Sequence, residues 1–528
     1  MDDLLARAID LHARGELDAA AALYLQIIRA EPQHFDALHM LGVYSFQTGD
    51  LATAHRLITQ ALRVRPDAAA AHVHLSAVLQ KQGRLQEALL AIQQALHLEP
   101  DNALALNNGA TLLSADLKRP AEALPLLERA LRLNDGDATA WNGMGYALIE
   151  LRRLDEALLC LQRALQLQPG FALALYNQGN ALQLQNRLEE AMRSYDAALV
   201  RQPDMVDAHF GQSACRLLAG DLQAGFQQYE WRWRKPAYQS IAQQYTQPVW
   251  LGDAPLQGKT LLVHAEQGLG DTLHMARYVP LLIAQGACVI LRVQPALVPL
   301  LAAMAGMSGA AGWPGVTVIG DGEPLPSHDF RMPLMSLPLA FGTSLDTIPA
   351  GAPYVQADPA RVAQWRARLG AAAGGAPRVG LAWAGNPKHD NDAARSLPLL
   401  AMRRLLNTGC DFIALQRDLS AVDRVLLARE PAIRSYAAEQ TDFAETAALV
   451  AQLDLVICVD TSIAHLAGAM GKPVWLLLPY APDWRWMLGR EDSPWYPTMR
   501  LFRQQRAGDW DEVLQRVAAA LVQFTPGQ

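Results

Sequence analysis

A spacing of 34 residues dominates the first 200 residues of the chain. Prolines stand at this spacing at Pro32, Pro66 and Pro100, and again at Pro169 and Pro203. The interval between Pro100 and Pro169 is two such periods plus one inserted residue. Small residues keep the same period at Ala20, Ala54, Ala88, Ala123, Ala157 and Ala191, and at Ala8, Gly42, Ser76, Gly145 and Gly179. A period of this length predicts a stack of equivalent units and excludes a single globular core.

Each period holds two amphipathic segments. The stretch from Gly83 to Pro100, "GRLQEALLAIQQALHLEP", returns as "RRLDEALLCLQRALQLQP" and "NRLEEAMRSYDAALVRQP". The small residues allow two helices to pack closely, and proline follows the second helix. The pattern resembles the tetratricopeptide repeat, with six units to about residue 205 and a degenerate seventh to about 236. It predicts an all-α solenoid over residues 1–236 with a concave surface that binds an extended peptide or a partner protein.

Asparagines recur near the middle of the first segment of several units, at Asn107, Asn108, Asn142 and Asn177. On an inner face, their amides can hydrogen-bond the backbone of any extended peptide. They can equally be ordinary polar residues of a helix surface. The seventh unit ends in "QQYEWRWRKP", and its Tyr229, Trp231 and Trp233 are interpreted as sealing the solenoid against the next domain rather than stacking on a ligand.

The second half of the chain follows a different pattern. Residues 237–258 are aperiodic and are predicted to be a linker that lies on the next domain. Short apolar segments then alternate with amphipathic ones, which predicts parallel sheets. Two such runs, 259–355 and 356–528, predict two Rossmann-like halves with a cleft at the carboxyl ends of their strands. The predicted strands are "TLLVHA", "CVILRV", "VTVIG", "RVGLAWAG", "DFIALQ", "DLVICVD" and "PVWLLLP".

Three loops that follow predicted strands carry the candidate chemistry. In "EQGLGDTLH", residues 266–274, Gly268 and Gly270 are expected to allow a tight turn and to leave room for a substrate. Asp271 begins the next helix, where its carboxylate can either deprotonate an acceptor hydroxyl or serve only as a helix cap. The segment lacks the third glycine of a dinucleotide fingerprint.

The second loop, "AWAGNPKHDNDAARSLPL", contains Lys388, His389 and Arg395. A cation at this position can hold a diphosphate and stabilise the charge of a leaving nucleoside diphosphate. The loop can also be an ordinary solvated surface. Its "DND", residues 390–392, is interpreted as loop composition rather than a metal site, and no metal or other cofactor is predicted.

The third loop is "VDTSIAHLAGAMGKPVW", residues 459–475. Asp460, Thr461 and Ser462 end a strand and begin a helix, so hydroxyl and backbone N–H groups there form an anion site. His465 follows one turn later and is predicted to contact a nucleotide, although a core histidine is the alternative. Gly468 and Gly471 are expected to permit close helix–sheet packing and a tight exit turn.

"GLGDTLH" followed about 190 residues later by "DTSIAHLAGAMGKP" resembles glycosyltransferase family 9, the lipopolysaccharide heptosyltransferases. The resemblance covers roughly residues 259–505 and implies a metal-independent, inverting enzyme of the two-Rossmann GT-B type. Together with the repeats, it is similar to bacterial repeat-containing glycosyltransferases, including those that modify flagellin. It implies that Asp271 is the general base, and that Asp460 to His465, with Gly270 nearby, bind the nucleotide. Either Lys388 or Arg395 then neutralises the phosphates.

The sequence departs from that family in its first half, which spans only about 100 residues from Thr260 to Tyr354. Because this half holds the acceptor in the family, lipid A core is not the expected acceptor, and the repeats are expected to hold a protein instead. A glycan or lipid precursor as acceptor, and a scaffold with a degenerate transferase domain, are the alternatives. The segment 479–497, with Trp484, Arg485 and Trp486, either shapes the donor pocket or packs a crossing segment.

Composition sets outer limits on function. The formal net charge is −7, which does not favour nucleic-acid binding, a function that needs a basic surface. The five cysteines show no metal-ligand spacing, and the start of the chain lacks the features of a signal peptide, so a reducing, cytoplasmic location is expected. No apolar run is long enough for a membrane span. The sugar, the nucleotide base and the oligomeric state are not encoded in any motif.

Overall fold

The computed structural model describes residues 2–307, 312–351, 353–371, 375–389 and 391–526. It divides into two compact units, Met1–Met205 and Val206–Gln528. The first unit is a solenoid of helix pairs, as the repeat pattern predicts. Its helices are α1 (Asp2–Ala13), α2 (Leu17–Ala30), α3 (Phe35–Gln47), α4 (Leu51–Val64), α5 (Ala69–Lys81), α6 (Leu85–Leu98), α7 (Ala103–Thr111), α8 (Pro120–Leu133), α9 (Ala138–Glu150), α10 (Leu154–Leu167), α11 (Ala172–Leu184) and α12 (Leu188–Arg201).

The small residues of the repeat pattern are required by the closeness of the paired helices. A Cβ atom added to Gly42 would lie 2.6 Å from Ile58, and one added to Gly179 would lie 2.5 Å from Tyr195. The periodic alanines are fully buried at Ala20, Ala54, Ala88, Ala123, Ala157 and Ala191. The first helices of successive units also contact one another from α3 to α11. Each unit therefore buries its apolar face only by stacking on its neighbours.

In each unit, a residue with positive φ lies two positions after the end of the first helical segment, and these residues repeat the period. The positions are Gly15, Gly49, Gly83, Lys118, Arg152 and Asn186. Glycine occupies the first three, where the left-handed conformation is unstrained. The next three carry side chains in the same conformation, so the fold imposes this turn even where the sequence does not favour it.

The inserted residue of the fourth unit is accommodated inside a helix. After α7, Leu112–Asp116 forms a π-helical turn in which the Leu117 amide donates to the Leu112 carbonyl over 3.0 Å. A π-turn holds one more residue than the α-helical turn it replaces. It lies between Ala110 and Ala123, and the 34-residue spacing resumes after it, so it absorbs the extra residue without lengthening the following loop.

The second unit begins with another helix pair, so the seventh repeat groups with the α/β part of the chain. It consists of α13 (Val206–Ala219) and α14 (Leu222–Tyr229), followed by a 3₁₀ helix at Glu230–Arg234 and α15 (Pro236–Ala242). The segment after α15 lies on the first sheet. The Trp250 amide donates to the Arg331 carbonyl over 2.9 Å, and Tyr245 stacks on His264 at 4.4 Å between ring centroids.

The first sheet is parallel, with strand order β3-β2-β1-β4. Its strands are β1 (Thr260–His264), β2 (Cys288–Val293), β3 (Val316–Gly320) and β4 (Phe330–Pro333), with helices α16 (Leu269–Met275), α17 (Val279–Ala284), α18 (Val298–Gly306) and α19 (Leu337–Ala340). Helices α16 and α17 are joined by a 3₁₀ turn at Ala276–Tyr278. Pro280, which cannot donate a helical hydrogen bond, lies at the start of α17.

The second sheet is also parallel, with order β10-β9-β8-β5-β6-β7. Its strands are β5 (Arg378–Ala382), β6 (Asp411–Ala414), β7 (Ile433–Ser435), β8 (Leu455–Val459), β9 (Val474–Leu478) and β10 (Met499–Arg503). The helices are α20 (Pro359–Leu369), α21 (Asp392–Arg395), α22 (Leu399–Met402), α23 (Ala421–Ala428), α24 (Phe443–Val450), α25 (Ser462–Ala469) and α26 (Trp510–Val522). In the part of the chain that the structure describes, no helix has the length and apolarity needed to cross a membrane.

Candidate functional site

The strand orders place the candidate loops where parallel sheets bind ligands. In the first sheet, the order reverses between β1 and β4, and in the second between β5 and β8. A crevice opens at the carboxyl ends of the strands at each reversal. Residues 265–271 follow β1, residues 383–395 follow β5, and residues 460–465 follow β8. All three loops identified in the sequence therefore lie at these reversal points.

The structure brings the first and third loops into direct contact, although they are about 190 residues apart in the sequence. Helix α16 packs against α25. At the closest point, a Cβ atom added to Gly270 would lie 2.7 Å from Cδ2 of His465 and 3.5 Å from Cα of Ser462. The predicted acid–base loop and the predicted nucleotide loop thus share one site.

This contact gives a different reason for the glycines than the one expected. Neither Gly268 nor Gly270 has positive φ, so neither is required for a tight turn. Gly270 is required for space, and that space is filled by His465 rather than kept open for a substrate. Gly468 has the same role on α25, since an added Cβ would lie 2.5 Å from the ring of Tyr496. Gly471 does make the tight exit turn, with φ of 70°.

Asp271 lies at the third position of α16 and is held from two sides. Its Oδ2 accepts a hydrogen bond from the Gly268 amide over 2.8 Å, which caps the helix. Its Oδ1 forms an ion pair with Nη2 of Arg485. Its side chain retains 25% exposure, so the carboxylate is fixed yet reaches solvent. Capping and a chemical role are therefore compatible at this residue.

Arg485 is a buried cation that contacts several residues of the site. It lies in the 3₁₀ helix Trp484–Trp486 after β9, and its side chain is only 7% exposed. Besides Asp271, it contacts Oδ1 of Asp483 at 2.8 Å and donates from Nε to Nδ1 of His274 over 3.0 Å. The two opposed carboxylates raise the pKa of Arg485 against the effect of burial. The segment 479–497 thus belongs to the site, and its Asp483 was not identified from the sequence.

His465 stands in an aromatic cluster that we define as His274, His465, Trp484, Trp486, Trp495 and Tyr496. Its Nδ1 is 2.9 Å from the Tyr496 hydroxyl, and its ring stacks on Trp486 at 5.5 Å and on His274 at 5.3 Å between centroids. Burial, and then the charge of Arg485, lower the pKa of His465 well below its usual value. The lowered pKa favours the neutral imidazole, and contact of His465 with a nucleotide stays a prediction.

Asp460, Thr461 and Ser462 form the turn from β8 into α25. Thr461 caps the helix, with its hydroxyl accepting from the Ile463 amide over 3.3 Å. Asp460 is 8% exposed, and its pKa is raised by burial and by the charge of Asp483, against the positive charges of Arg395 and Arg485. A buried acid with a raised pKa at a cleft is typical of a functional site.

The second loop separates its two candidate cations. Lys388 is exposed, whereas the Arg395 side chain is 15% exposed, lies 3.4 Å from Asp392, and exerts its charge on Asp460 and His465. Of the two, Arg395 therefore lies closer to the charged residues of the site, and phosphate binding by either cation stays a prediction. Asp390, the first residue of "DND", lies outside the described residues. Within them, no group of three or more His, Cys, Asp or Glu side chains is arranged to hold a metal ion.

Sequence reasoning missed a buried carboxylate beside the site. Glu266 follows β1, and its side chain and that of Arg232 are both fully buried, 3.1 Å apart. Its Oε1 also accepts from the Met335 amide over 3.0 Å. Burial raises the pKa of Glu266 to about 7, against the charge of Arg232. The sequence could have indicated Glu266, because it is a charged residue between a buried strand and a glycine loop. Its partner Arg232 lies 34 positions earlier, outside the α/β pattern, so the ion pair was not visible.

The asparagines of the solenoid lie in the first helices of their units, but their amides already have partners. Asn142 and Asn177 are buried, and Nδ2 of Asn177 donates to Oδ1 of Asn142 over 2.9 Å. Nδ2 of Asn107 donates to Asp137 over 2.9 Å, while its buried Oδ1 has no partner among the described residues. These bonds join neighbouring units. Peptide binding by Asn107, Asn142 and Asn177 stays a prediction.

Two family models match parts of the chain. The model of the tetratricopeptide repeat matches residues 5–55, 40–103, 115–172, 143–204 and 176–235. The model of glycosyltransferase family 9 (heptosyltransferase) matches residues 427–485, which include the β8–α25 turn and Arg485. The chain therefore contains tetratricopeptide repeats and a segment that is similar to glycosyltransferase family 9.

Individual proteins extend the comparison. Protein FlbA of Caulobacter vibrioides is 28% identical over 331 residues, which are 58% of this chain and 54% of FlbA. The chain thus spans about half the length of this curated relative. Among solved structures, YrrB, a TPR protein with an unusual peptide-binding site, is 27% identical, covers 35% of this chain and 95% of its own, and has a TM-score of 0.30. A tetratricopeptide repeat protein from Parabacteroides merdae is 15% identical, covers 46% and 96%, and has a TM-score of 0.40.

Proposed function

We propose that the protein is an inverting, metal-independent glycosyltransferase of GT-B type that moves a sugar from a nucleotide donor to a protein held by the repeats. The contact of Gly270 with Ser462 and His465 carries the proposal, because it joins the candidate base and the candidate phosphate site. The match to glycosyltransferase family 9 over residues 427–485 supports glycosyl transfer as the chemistry.

The donor lies against the second sheet in this proposal. Its phosphates meet the hydroxyls and N–H groups of Thr461 and Ser462 at the start of α25, where a helix favours an anion. Arg395, buried enough to act on Asp460, supplies the positive charge that the leaving diphosphate needs. Lys388 is exposed and has no such role.

The acceptor hydroxyl attacks from the side of Asp271. Its oxygen forms a bond to the anomeric carbon as the bond from that carbon to the phosphate oxygen breaks, and the electron pair leaves with the diphosphate. The proton passes to the Asp271 carboxylate, which the Gly268 amide and Arg485 hold in a fixed orientation.

The repeats hold the acceptor in this proposal. Tetratricopeptide repeats are stacks whose inner surface suits an extended peptide, and the inner helices here carry Asn107, Asn142 and Asn177. Protein is therefore the class of acceptor that we propose. Turnover with a free glycan or lipid precursor and none with protein would contradict that part of the proposal.

Asp271→Asn tests the proposal. We expect it to lose transfer by about 10²–10⁴-fold, the usual contribution of a general base, with donor affinity unchanged. Transfer is measured as nucleotide release and as labelled sugar on protein, with a panel of nucleotide sugars. Affinity is measured from the thermal shift that nucleoside mono- and diphosphates produce.

Asp253→Asn is the matched control, because Asp253 also accepts a backbone amide, that of Leu251, over 3.2 Å, and is exposed. It should keep wild-type turnover. Near-normal turnover of Asp271→Asn would remove Asp271 as the base. No nucleotide binding by the wild-type chain would reject the transferase itself.

A further inference from the structure

The candidate active site is built partly from the last helix pair of the repeats. Arg232, in the 3₁₀ helix after α14, has no solvent exposure. Its guanidinium contacts Glu230 at 2.5 Å, Glu266 at 3.1 Å and the Ser336 hydroxyl at 2.7 Å. A buried charge with partners on several segments fixes the relative position of those segments, because removal of one partner leaves a buried charge that is not compensated.

Glu266 and Ser336 lie on the two loops at the reversal point of the first sheet. Glu266 follows β1, and Ser336 follows β4. The two loops are joined directly as well, because Glu266 accepts from the Met335 amide over 3.0 Å. Arg232 therefore connects the loop that contains Gly268, Gly270 and Asp271 to the helix pair.

A second contact reaches the same loop one residue later. Nε2 of Gln267 donates to the Tyr229 hydroxyl over 2.7 Å. The Gln267 carbonyl accepts from Gln294 over 2.7 Å, and Gln294 accepts from the Thr272 hydroxyl over 3.0 Å. This chain of bonds runs from Tyr229 on α14 to the residue after Asp271.

A third contact approaches Asp271 through its ion-pair partner. The ring of Phe226 on α14 meets the ring of Trp484 edge-on, at 5.3 Å between centroids. Trp484 precedes Arg485, whose guanidinium lies 4.3 Å from the Trp484 ring centre and pairs with Asp271. Both the backbone before Asp271 and the cation that holds its carboxylate thus rest on α14 and the turn after it.

We propose that Tyr229 and Arg232 are positioning residues for Asp271, so that the last helix pair of the repeats sets the geometry of the catalytic loop. The inference rests on the proposed function in so far as Asp271 is the base. Asp271 does not touch Tyr229 or Arg232; they act through Gln267 and Glu266. A displacement of the last helix pair is then transmitted to the Asp271 carboxylate through Gln267 and Glu266.

Tyr229→Phe is the sharpest test, because it removes one hydroxyl and keeps the ring that packs on Phe210 at 5.2 Å. Hydrogen–deuterium exchange of the full chain is measured over residues 265–275. We expect exchange there to rise roughly tenfold, the effect of one lost hydrogen bond, and turnover to fall while donor affinity holds. The melting temperature should fall by at most a few degrees, as it should in the control variant. Tyr245→Phe is the matched control, since it removes a comparable bond, from Arg292 at 2.9 Å, away from Asp271.

Unchanged exchange in Tyr229→Phe, or an equal rise in Tyr245→Phe, would overturn the inference. So would faster exchange with unchanged turnover in an active enzyme. If the wild-type chain shows no turnover with any donor, the proposed function fails, and exchange alone then decides: a rise confined to Tyr229→Phe supports the positioning, and none rejects it.

Discussion

Gly270 shows how one missing side chain decides whether the site can form. The opposing ring of His465 cannot retreat, because Tyr496 and Trp486 hold it. We expect Gly270→Ala to separate α16 from α25, to lower the free energy of unfolding by about 1–3 kcal/mol and to abolish turnover. Chemical denaturation and nucleotide release measure the two effects.

Gly268→Ala is the control for that substitution. Gly268 has φ of −73°, which alanine adopts freely, and an added Cβ would meet only the Asp271 carboxylate, at 3.1 Å. It should cost clearly less stability than Gly270→Ala. Equal losses in the two variants would show that the loop backbone, and not the contact with His465, limits the site.

Glu266 makes stability depend on pH. Its pKa rises from 4.5 to about 7 on folding, because it is buried, so the folded chain keeps this proton where the unfolded chain has lost it. The stabilisation is fully present below pH 4.5 and is lost as the pH rises through 7. We expect Glu266→Gln to flatten this decline by up to about 3 kcal/mol between pH 5 and 8, measured by denaturation.

Asp418→Asn provides the comparison, since the Asp418 side chain is 92% exposed. Its pH dependence should match that of the wild-type chain. If Glu266→Gln also matches the wild type, then Glu266 is ionised throughout this range and Arg232 compensates its burial in full.

At the scale of the helix, the repeated turn offers a direct comparison between equivalent positions. Lys118 has φ of 54° where three earlier units have glycine. We expect Lys118→Gly to stabilise the first unit by about 0.5–1 kcal/mol, because it relieves the left-handed strain. The melting temperature of residues 1–205 should rise by a few degrees.

The control substitution puts glycine where the helix needs none. Gln93 is exposed in the middle of α6, and Gln93→Gly should lower stability by about 1 kcal/mol. A loss of stability in Lys118→Gly would mean that the Lys118 side chain contributes more than its backbone strain costs.

The elements also show what sequence patterns reveal and what they miss. The repeat units and seven strands of the two sheets follow from local periodicity, which is a property of each segment alone. The strands β4, β7 and β10 were not predicted, because their pairing depends on neighbours distant in sequence, and β4 and β7 have only four and three residues. The insertion was visible in the sequence as one extra residue, but its location in a π-turn directly after α7 was not, because a loop absorbs an insertion equally well.

The residues of the candidate site also fall into those that local sequence indicates and those that only long-range contacts reveal. Asp271, Asp460 and His465 are marked by their positions after strands, where ligands of parallel sheets bind. Arg232 becomes a candidate only through its contact with Glu266, which lies 34 residues later in the sequence. Arg485 had two interpretations in the sequence, and its contact with Asp271, 214 residues earlier, favours a place in the site. Lys388 and Arg395 are equivalent cations in the sequence, and only burial separates them.

At the scale of the molecule, the second unit begins at α13 and not at the first strand. A fragment of residues 206–528 should fold with the stability of the second unit in the full chain. A fragment of residues 237–528 lacks Arg232 and Tyr229, so it leaves Glu266 buried without its cation. We expect it to lose about 3–5 kcal/mol, measured by thermal and chemical denaturation of both fragments.

Equal stability of the two fragments would contradict this boundary. It would mean that the loop after β1 and the loop after β4 hold each other without the helix pair. The seventh unit would then be a repeat like the others, attached to the α/β part without supporting it.

The aromatic cluster has an optical consequence. Trp484, Trp486 and Trp495 surround two neutral histidines, and the Trp486 ring stacks on His465 at 5.5 Å. Indole emission responds to nearby charge and to the orientation of a stacked partner. A polyphosphate that arrives at the start of α25 would therefore change the fluorescence of the protein without any added dye, and its rate of arrival could be followed in real time.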